Sequence, residues 1–145
     1  MLVQAILKSK GSGGVETVEP TATVSQAAKI LAEKRIGTVV ISEDGGLTAS
    51  GILSERDIVR ELAASGSGCL DKPVSSYMTK QLVTASQQDS VESILSQMTE
   101  GRFRHMPVLE DGKLVGIVTL GDAVKAQLSE LAMEKDALEG MIMGH

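Results

Sequence analysis

Gly51-Ile52-Leu53-Ser54-Glu55-Arg56-Asp57-Ile58-Val59 is answered further along the chain by Gly116-Ile117-Val118-Thr119-Leu120-Gly121-Asp122-Ala123-Val124. In both stretches an apolar strand signal runs into a hydroxyl, a carboxylate follows three residues later, and an apolar helix signal takes over. Repetition over such a period is a statement about architecture before it is one about chemistry.

Outward from the motif the repetition continues. Val24, Ala27, Ala28 and Leu31 recur 67 positions later as Val91, Ile94, Leu95 and Met98, both sets at the helical spacing i, i+3, i+4, i+7. The offset holds through Arg35/Arg102, Ile36/Phe103 and Ile41/Val108, then falls to 65 across a turn that is two residues longer in the first copy. Loops are where a duplicated unit drifts. Upstream, Val3 and Leu7 pair with Val74 and Met78 at an offset of 71, the four extra residues being Gly11-Ser12-Gly13-Gly14. The chain reads as one unit written twice, with a tail.

Each copy predicts the same order: an extended entry at 15–18 or 82–85, a helix over 24–34 or 91–100, and a strand over 38–41 or 106–109. A turn rich in Glu, Asp and Gly leads to a second strand at 49–53 or 113–118, as in a hairpin, and a second helix begins at Ser54 or Thr119. This is β-α-β-β-α, twice. Thr23 with Gln26 fits a capping box at the first helix start. Ala63-Ala64-Ser65-Gly66-Ser67-Gly68 is the expected linker, so the lobes divide near residue 68. That assigns 1–68 to the first repeat with an amino-terminal extension, 69–128 to the second, and 129–145 to a helical tail. Val124, Leu128, Leu131, Leu138 and Ile142 form an apolar stripe on a long helix interrupted at Lys135, suited to packing on its own lobe or on a partner helix.

Composition bounds the function. The chain has 145 residues, and units of about 60 are marginal alone, so the copies should share burial. One Phe, one Tyr and no Trp leave a core of aliphatic residues and Met, and any ligand must be gripped by aliphatic groups and backbone. A net charge of −5 opposes a nucleic-acid role, which draws on a basic surface and, for single strands, on stacking aromatics. Cys69 stands alone and follows the expected linker, where incidental oxidation is open to it and catalysis is not expected. His105 and His145 are too few for a metal cluster. No apolar run approaches the ~20 residues of a membrane span, and the start lacks the pattern of a secretory signal. The expectation is a cytoplasmic protein with no membrane or nucleic-acid partner.

The chemistry lies at the repeated junctions. Ser/Thr-x-x-Asp before an apolar run is first of all a helix cap. The same carboxylates, Asp57 and Asp122, suit the two hydroxyls of a ribose, while helix-start amides and the Ser54 or Thr119 hydroxyl suit the attached phosphate. The two readings are compatible. Arg56, Arg102 and Arg104 stand near these junctions, and guanidinium groups hold phosphate oxygens in a bidentate fork. His105 could donate to a phosphate or be a packed structural residue. The glycine-rich insert lacks the Lys-Ser/Thr end of a P-loop and reads as a connection. There is no nucleophile beside a base, no metal-ligand spacing and no dinucleotide fingerprint.

Together the two Gly-Ile-x-Ser/Thr-x-x-Asp motifs, Arg104-His105-Met106-Pro107-Val108 and the repeated element order resemble the cystathionine-β-synthase (CBS) domain pair, or Bateman module, over nearly the whole chain. The similarity looks nearest to the stand-alone bacterial CBS-pair proteins. The resemblance implies a mixed α/β (α+β) fold, with tandem β-α-β-β-α repeats packed sheet to sheet as a pseudo-two-fold pair. It implies clefts for AMP, ADP, ATP, NAD or S-adenosylmethionine, with Asp57 and Asp122 on ribose and Ser54 and Thr119 near phosphate. Backbone at Gly37-Thr38 and His105-Met106 would read the adenine edge, Ile36 and Val39 would lie on its faces, and Thr17 and Thr84 are further candidates. The first copy has Val40 where the second has Pro107, and Gly37-Thr38 where the second has Arg104-His105, so the clefts should differ. The one with the arginines is favoured for a phosphorylated ligand.

The resulting expectation is a regulatory, non-catalytic module that needs no catalytic cofactor and senses energy or redox state through AMP, ATP or NAD. A homodimer and an unidentified effector protein are its expected partners. The rivals are a structural dimerisation module with empty clefts and a nucleotide-processing enzyme.

Overall fold

The computed structural model describes residues 1–11 and 14–142. Ser12, Gly13 and His145, singled out above, lie outside the described residues. The elements are α1 (Val3–Ser9), β1 (Thr17–Val18), α2 (Val24–Lys34), β2 (Thr38–Ile41), β3 (Gly51–Ser54), α3 (Glu55–Ser65), α4 (Val91–Gly101), β4 (His105–Glu110), β5 (Lys113–Thr119) and α5 (Leu120–Ile142). Two short 3₁₀ turns, Ser67–Asp71 and Val74–Ser76, connect the copies.

The duplication is preserved in the pairing. β1 runs parallel to β2 with Val18 opposite Ile41, and Ala85 bridges Val108 in parallel in the second copy. The hairpins β2–β3 and β4–β5 are antiparallel, with Thr38 opposite Ser54 and His105 opposite Thr119. The first helix of each copy ends on a left-handed arginine, Arg35 (φ 54°) or Arg102 (φ 55°), whose N–H closes the last turn onto Leu31 or Met98. The Thr23/Gln26 capping box forms as expected.

The cores do not follow the order of the chain. Val3 and Ile6 of α1 are buried with Ala85, Val91, Ile94, Met98, Met106, Val108 and Val118 of the second copy, whereas Val74 is buried with Val24, Leu31, Ile41 and Leu53 of the first. Backbone bonds repeat the exchange. Val24 N–H donates to Lys72 O and Val91 N–H to Met1 O, while Val74 N–H donates to Ala22 O and Val3 N–H to Asp89 O. Each leading segment crosses to the other copy. The division near residue 68 therefore describes the repeat and not the packing, because a cut there would strip Val74 from the core it fills.

Three local expectations change. The expected linker is helical to Ser65, and α3 stops at Gly66, whose φ of 77° an L side chain rarely adopts. Cys69 is 2% exposed, which shields it from the incidental oxidation expected of it. α5 runs unbroken through Lys135, which pairs with Glu139 one turn on. Its inward face is Ala123 and Ala126, so the stripe of Val124, Leu128, Leu131, Leu138 and Ile142 faces away from its own lobe. Among the described residues no helix is long and apolar enough to cross a membrane.

Candidate functional site

Both repeated junctions are complete capping boxes. Ser54 N–H donates to Asp57 Oδ2 at 2.9 Å, and Asp57 N–H donates to Ser54 Oγ at 3.1 Å. Thr119 and Asp122 make the same pair at 3.0 Å each way. The first helical amide is also consumed: Glu55 N–H donates to Gly37 O at 2.9 Å and Leu120 N–H to Arg104 O at 2.8 Å. Helix-start amides are thus less available to a phosphate than the sequence suggested. In compensation, each junction is bolted to the strand entry of its own copy.

Two clefts of similar size flank the pseudo-two-fold, and each takes a strand entry from one copy and a junction from the other. The first, about 250 Å³, joins Ile36, Gly37 and Thr38 to Gly116, Ile117 and Thr119, with Lys10 and Glu16 at its edge. The second, about 280 Å³, joins Phe103, Arg104 and His105 to Ile52, Ser54, Arg56 and Asp57, with Arg60, Thr79 and Arg102 around it. All three arginines singled out in the sequence therefore border one cavity. Its lining is polar and rich in guanidinium groups, with Ile52 and Phe103 as its apolar members, and can hold a small anionic molecule by a few placed groups.

The clefts differ in chemistry. Asp57 borders the second cleft, and its Oδ1 has only a long 3.5 Å contact with Arg60, whose side chain is 76% exposed. Asp122 does not border the first. Lys10 Nζ lies on its Oδ2 at 2.8 Å and also donates to Ile117 O at 2.9 Å. Burial pushes the Asp122 carboxyl up, but the bonds from Lys10 and Thr119 outweigh it and hold the group below the usual carboxylate range. His105 borders both clefts, packed against Gly37, where a Cβ would meet its Nε2 at 3.3 Å. Burial lowers the His105 pKa; Glu55 and Asp57 oppose that, and Arg104 and Lys10 reinforce it. Thr38 Oγ1 is buried at the first cleft without a hydrogen-bond partner among the described residues.

Other named residues lie elsewhere. Val39 and Met106 are fully buried in the two cores and line neither cleft. Pro107 is buried too, its carbonyl accepting from Ala85 N–H, and Thr84 is exposed. Thr17 faces the β2–β3 turn, near Gly46. Lys10, Glu16, Thr79 and Phe103 were not foreseen as lining residues, since three of them lie outside the repeated motif and reach the clefts only through the exchange of leading segments or the hairpin packing. Ile52 and Ile117 carried a signal, being the second residue of each motif.

The CBS domain family model matches residues 12–64 and 74–129. The chain is 30% identical over 148 residues to the CBS domain-containing protein CBSX3, mitochondrial, of Arabidopsis thaliana, covering 98% of this chain and 72% of that one. The crystal structure of the CBS-domain containing protein ATU1752 from Agrobacterium tumefaciens superposes with a TM-score of 0.82 at 39% identity, over 88% of this chain and 99% of that one. The CBS domain protein PAE2072 from Pyrobaculum aerophilum, solved in complex with AMP, gives 0.78 at 28% identity, over 92% and 99%. Two matched repeats, and two clefts built crosswise from their equivalent junctions, establish that the chain belongs to the CBS domain family as a CBS pair.

Proposed function

We propose that the protein binds an adenosine-containing ligand, AMP, ADP, ATP or NAD, in the clefts between its repeats and acts as a non-catalytic sensor of energy or redox state. The observation that carries this reading is the second cleft: Arg56, Arg102 and Arg104 border the same cavity as the Ser54–Asp57 junction. A phosphate beside a ribose matches that set, guanidinium for the phosphate and carboxylate for the diol. The AMP complex of the Pyrobaculum relative supports the ligand class. At the first cleft, the Thr38 hydroxyl, which has no partner among the described residues, suits a polar edge of a ligand.

Sensing requires the ligand to favour one of two states of the protein, since equal affinity for both shifts nothing. The face that would carry the response is formed by Val124, Leu128 and Leu131 of α5, which are 42, 62 and 50% exposed. We assign it to a homodimer contact, with an effector protein reading the dimer and a cytoplasmic setting as part of the same reading. The rival of a structural module with empty clefts draws on the complete capping boxes, which account for Ser54, Asp57, Thr119 and Asp122 without a ligand.

Thermal melts with AMP, ATP and NAD separate the two. A ligand that binds only the folded state adds about 2.7 kcal/mol at a hundred times its dissociation constant, and guanine nucleotides should add less. A melt that no adenosine compound moves at millimolar concentration would remove the sensor reading. Mass spectrometry of small molecules released on denaturation names the ligand.

A further inference from the structure

We propose that two copies of the chain join through α5 as an antiparallel two-helix seam that crosses level with Met133, so that the free end of each helix lies on the body of the other copy. The proposal deepens the homodimer reading above and does not depend on nucleotide binding.

α5 outlasts the lobe it belongs to. Among the described residues, none beyond Glu130 joins either core or hydrogen-bonds to another element. Leu131 to Glu139 are exposed throughout. A stretch of about three turns with nothing packed on it is marginal by itself. Its apolar side chains are not scattered. Val124, Leu128, Leu131, Leu138 and Ile142 keep alternating steps of four and three, with Lys135 at the one polar place. That is the narrow seam of a coiled coil, where a helix lying on a core would show a broader stripe.

Charge selects a second copy as the occupant and sets its direction. Lys125, Ala132 and Glu139 flank the seam on one side, and Gln127, Glu134 and Met141 on the other. A parallel pair would set Lys135 against the partner's Lys135 inside the seam and Glu134 against the partner's Glu139 beside it, both repulsive. Run antiparallel, Lys125 meets the partner's Glu139 at each end of the seam, and Ala132 lets the backbones approach at the axis. The one like-charge approach, Glu134 with the partner's Glu134, is flanked by both Lys135 side chains. Lys125 has no ion-pair partner among the described residues, and Glu139 has only Lys135 at 3.8 Å. In this register Val124 faces the partner's Ile142 and Leu128 the partner's Leu138. A slip of one heptad leaves Ile142 without a partner in one direction, and Val124 and Leu128 in the other. Val124 and Leu128 also line a groove of about 640 Å³ with Arg56 and Arg104, onto which Ser54 and Thr119 open. The end of the second copy's helix would roof that groove, beside both clefts.

The test uses the full chain, with disulfide trapping and sedimentation equilibrium. Cys69 is 2% exposed and stays in place, the wild type serving as the blank. Under mild oxidation an equimolar mixture of Leu128→Cys and Leu138→Cys should give a disulfide-linked dimer, and neither variant alone should. In sedimentation, Glu139→Lys should raise the dimer dissociation constant by about tenfold or more, since it turns two attractive pairs into two repulsive ones. Lys125→Glu/Glu139→Lys should bring it back to within about threefold of the wild type. Linkage of Leu138→Cys with itself would show a parallel pair and overturn the proposal. A mixture that gives no linked dimer, or a double variant as weak as Glu139→Lys, overturns it too. If the wild type is a dimer, those failures remove only the arrangement. A wild type that is monomeric at micromolar concentration removes the homodimer reading and this proposal together.

Discussion

Changing Asp57 to Asn separates helix capping from ligand binding at one atom. In the folded protein the Asp57 carboxylate spends Oδ2 on Ser54 N–H at 2.9 Å, while Oδ1 has only the long contact with Arg60. The Asn side-chain oxygen can take over the Ser54 bond, so the capping box survives and only the charge at the start of α3 is lost. That is worth about 0.3–1 kcal/mol, and in a chain of this size a melting point lower by about 1–4 °C. If Asp57 holds a ribose diol, the amide also turns a donor toward a hydroxyl that a carboxylate would accept from. Losing about 1.5–3 kcal/mol of charge-assisted hydrogen bonding weakens AMP by roughly ten- to 150-fold. Asp122→Asn should weaken it less, because that carboxylate already carries Lys10. Calorimetry is the assay, with the melting point as an internal control. An AMP affinity unchanged in Asp57→Asn, beside the small expected drop in melting point, would show that the junction only caps its helix and would refute the ribose assignment.

His105 should make stability pH-dependent. Burial lowers its folded pKa below the ordinary 6.5, so the unfolded chain binds the proton more readily; the contribution is complete above about pH 6.5 and is lost as the pH falls through the folded value. Urea midpoints at about pH 8 and about pH 5.5 should differ by less in His105→Asn than in the wild type, and an equal difference would count against the assignment. Ile6→Ala empties part of the second core although Ile6 precedes the first repeat; a loss of about 2–5 kcal/mol, with amide exchange rising first around Val91, Ile94 and Val108, is expected, and loosening confined to residues near 24–58 would contradict the exchange of leading segments. Leu128→Glu, on the exposed α5 face, should convert a dimer to a monomer in sedimentation equilibrium while leaving the circular dichroism unchanged; a variant as dimeric as the wild type would clear this face of the contact.

Much of the architecture was legible because it is local and written twice. Helical spacing at Val24–Leu31 and Val91–Met98, the hairpin turns, and a hydroxyl with a carboxylate three residues on are short-range patterns, and the elements they predict agree with the structure to within about two residues. The pairing of junctions with arginines was suggested by the motif and its neighbours. Tertiary structure decided what depends on long-range packing: that Val3 and Ile6 serve the second core and Val74 the first, that Val39 and Met106 point inward, and that the outer stripe of α5 leaves its own lobe uncovered. Equivalent offsets cannot reveal such an exchange, because a segment that packs on its own copy and one that crosses to the other carry the same apolar spacing. Nor could the unequal state of Asp57 and Asp122 be read from matching motifs. It arises from one lysine beyond a short helix, brought to Asp122 by a fold that swaps its leading segments, and an ion pair between residues so distant in sequence exists only once the chain has closed.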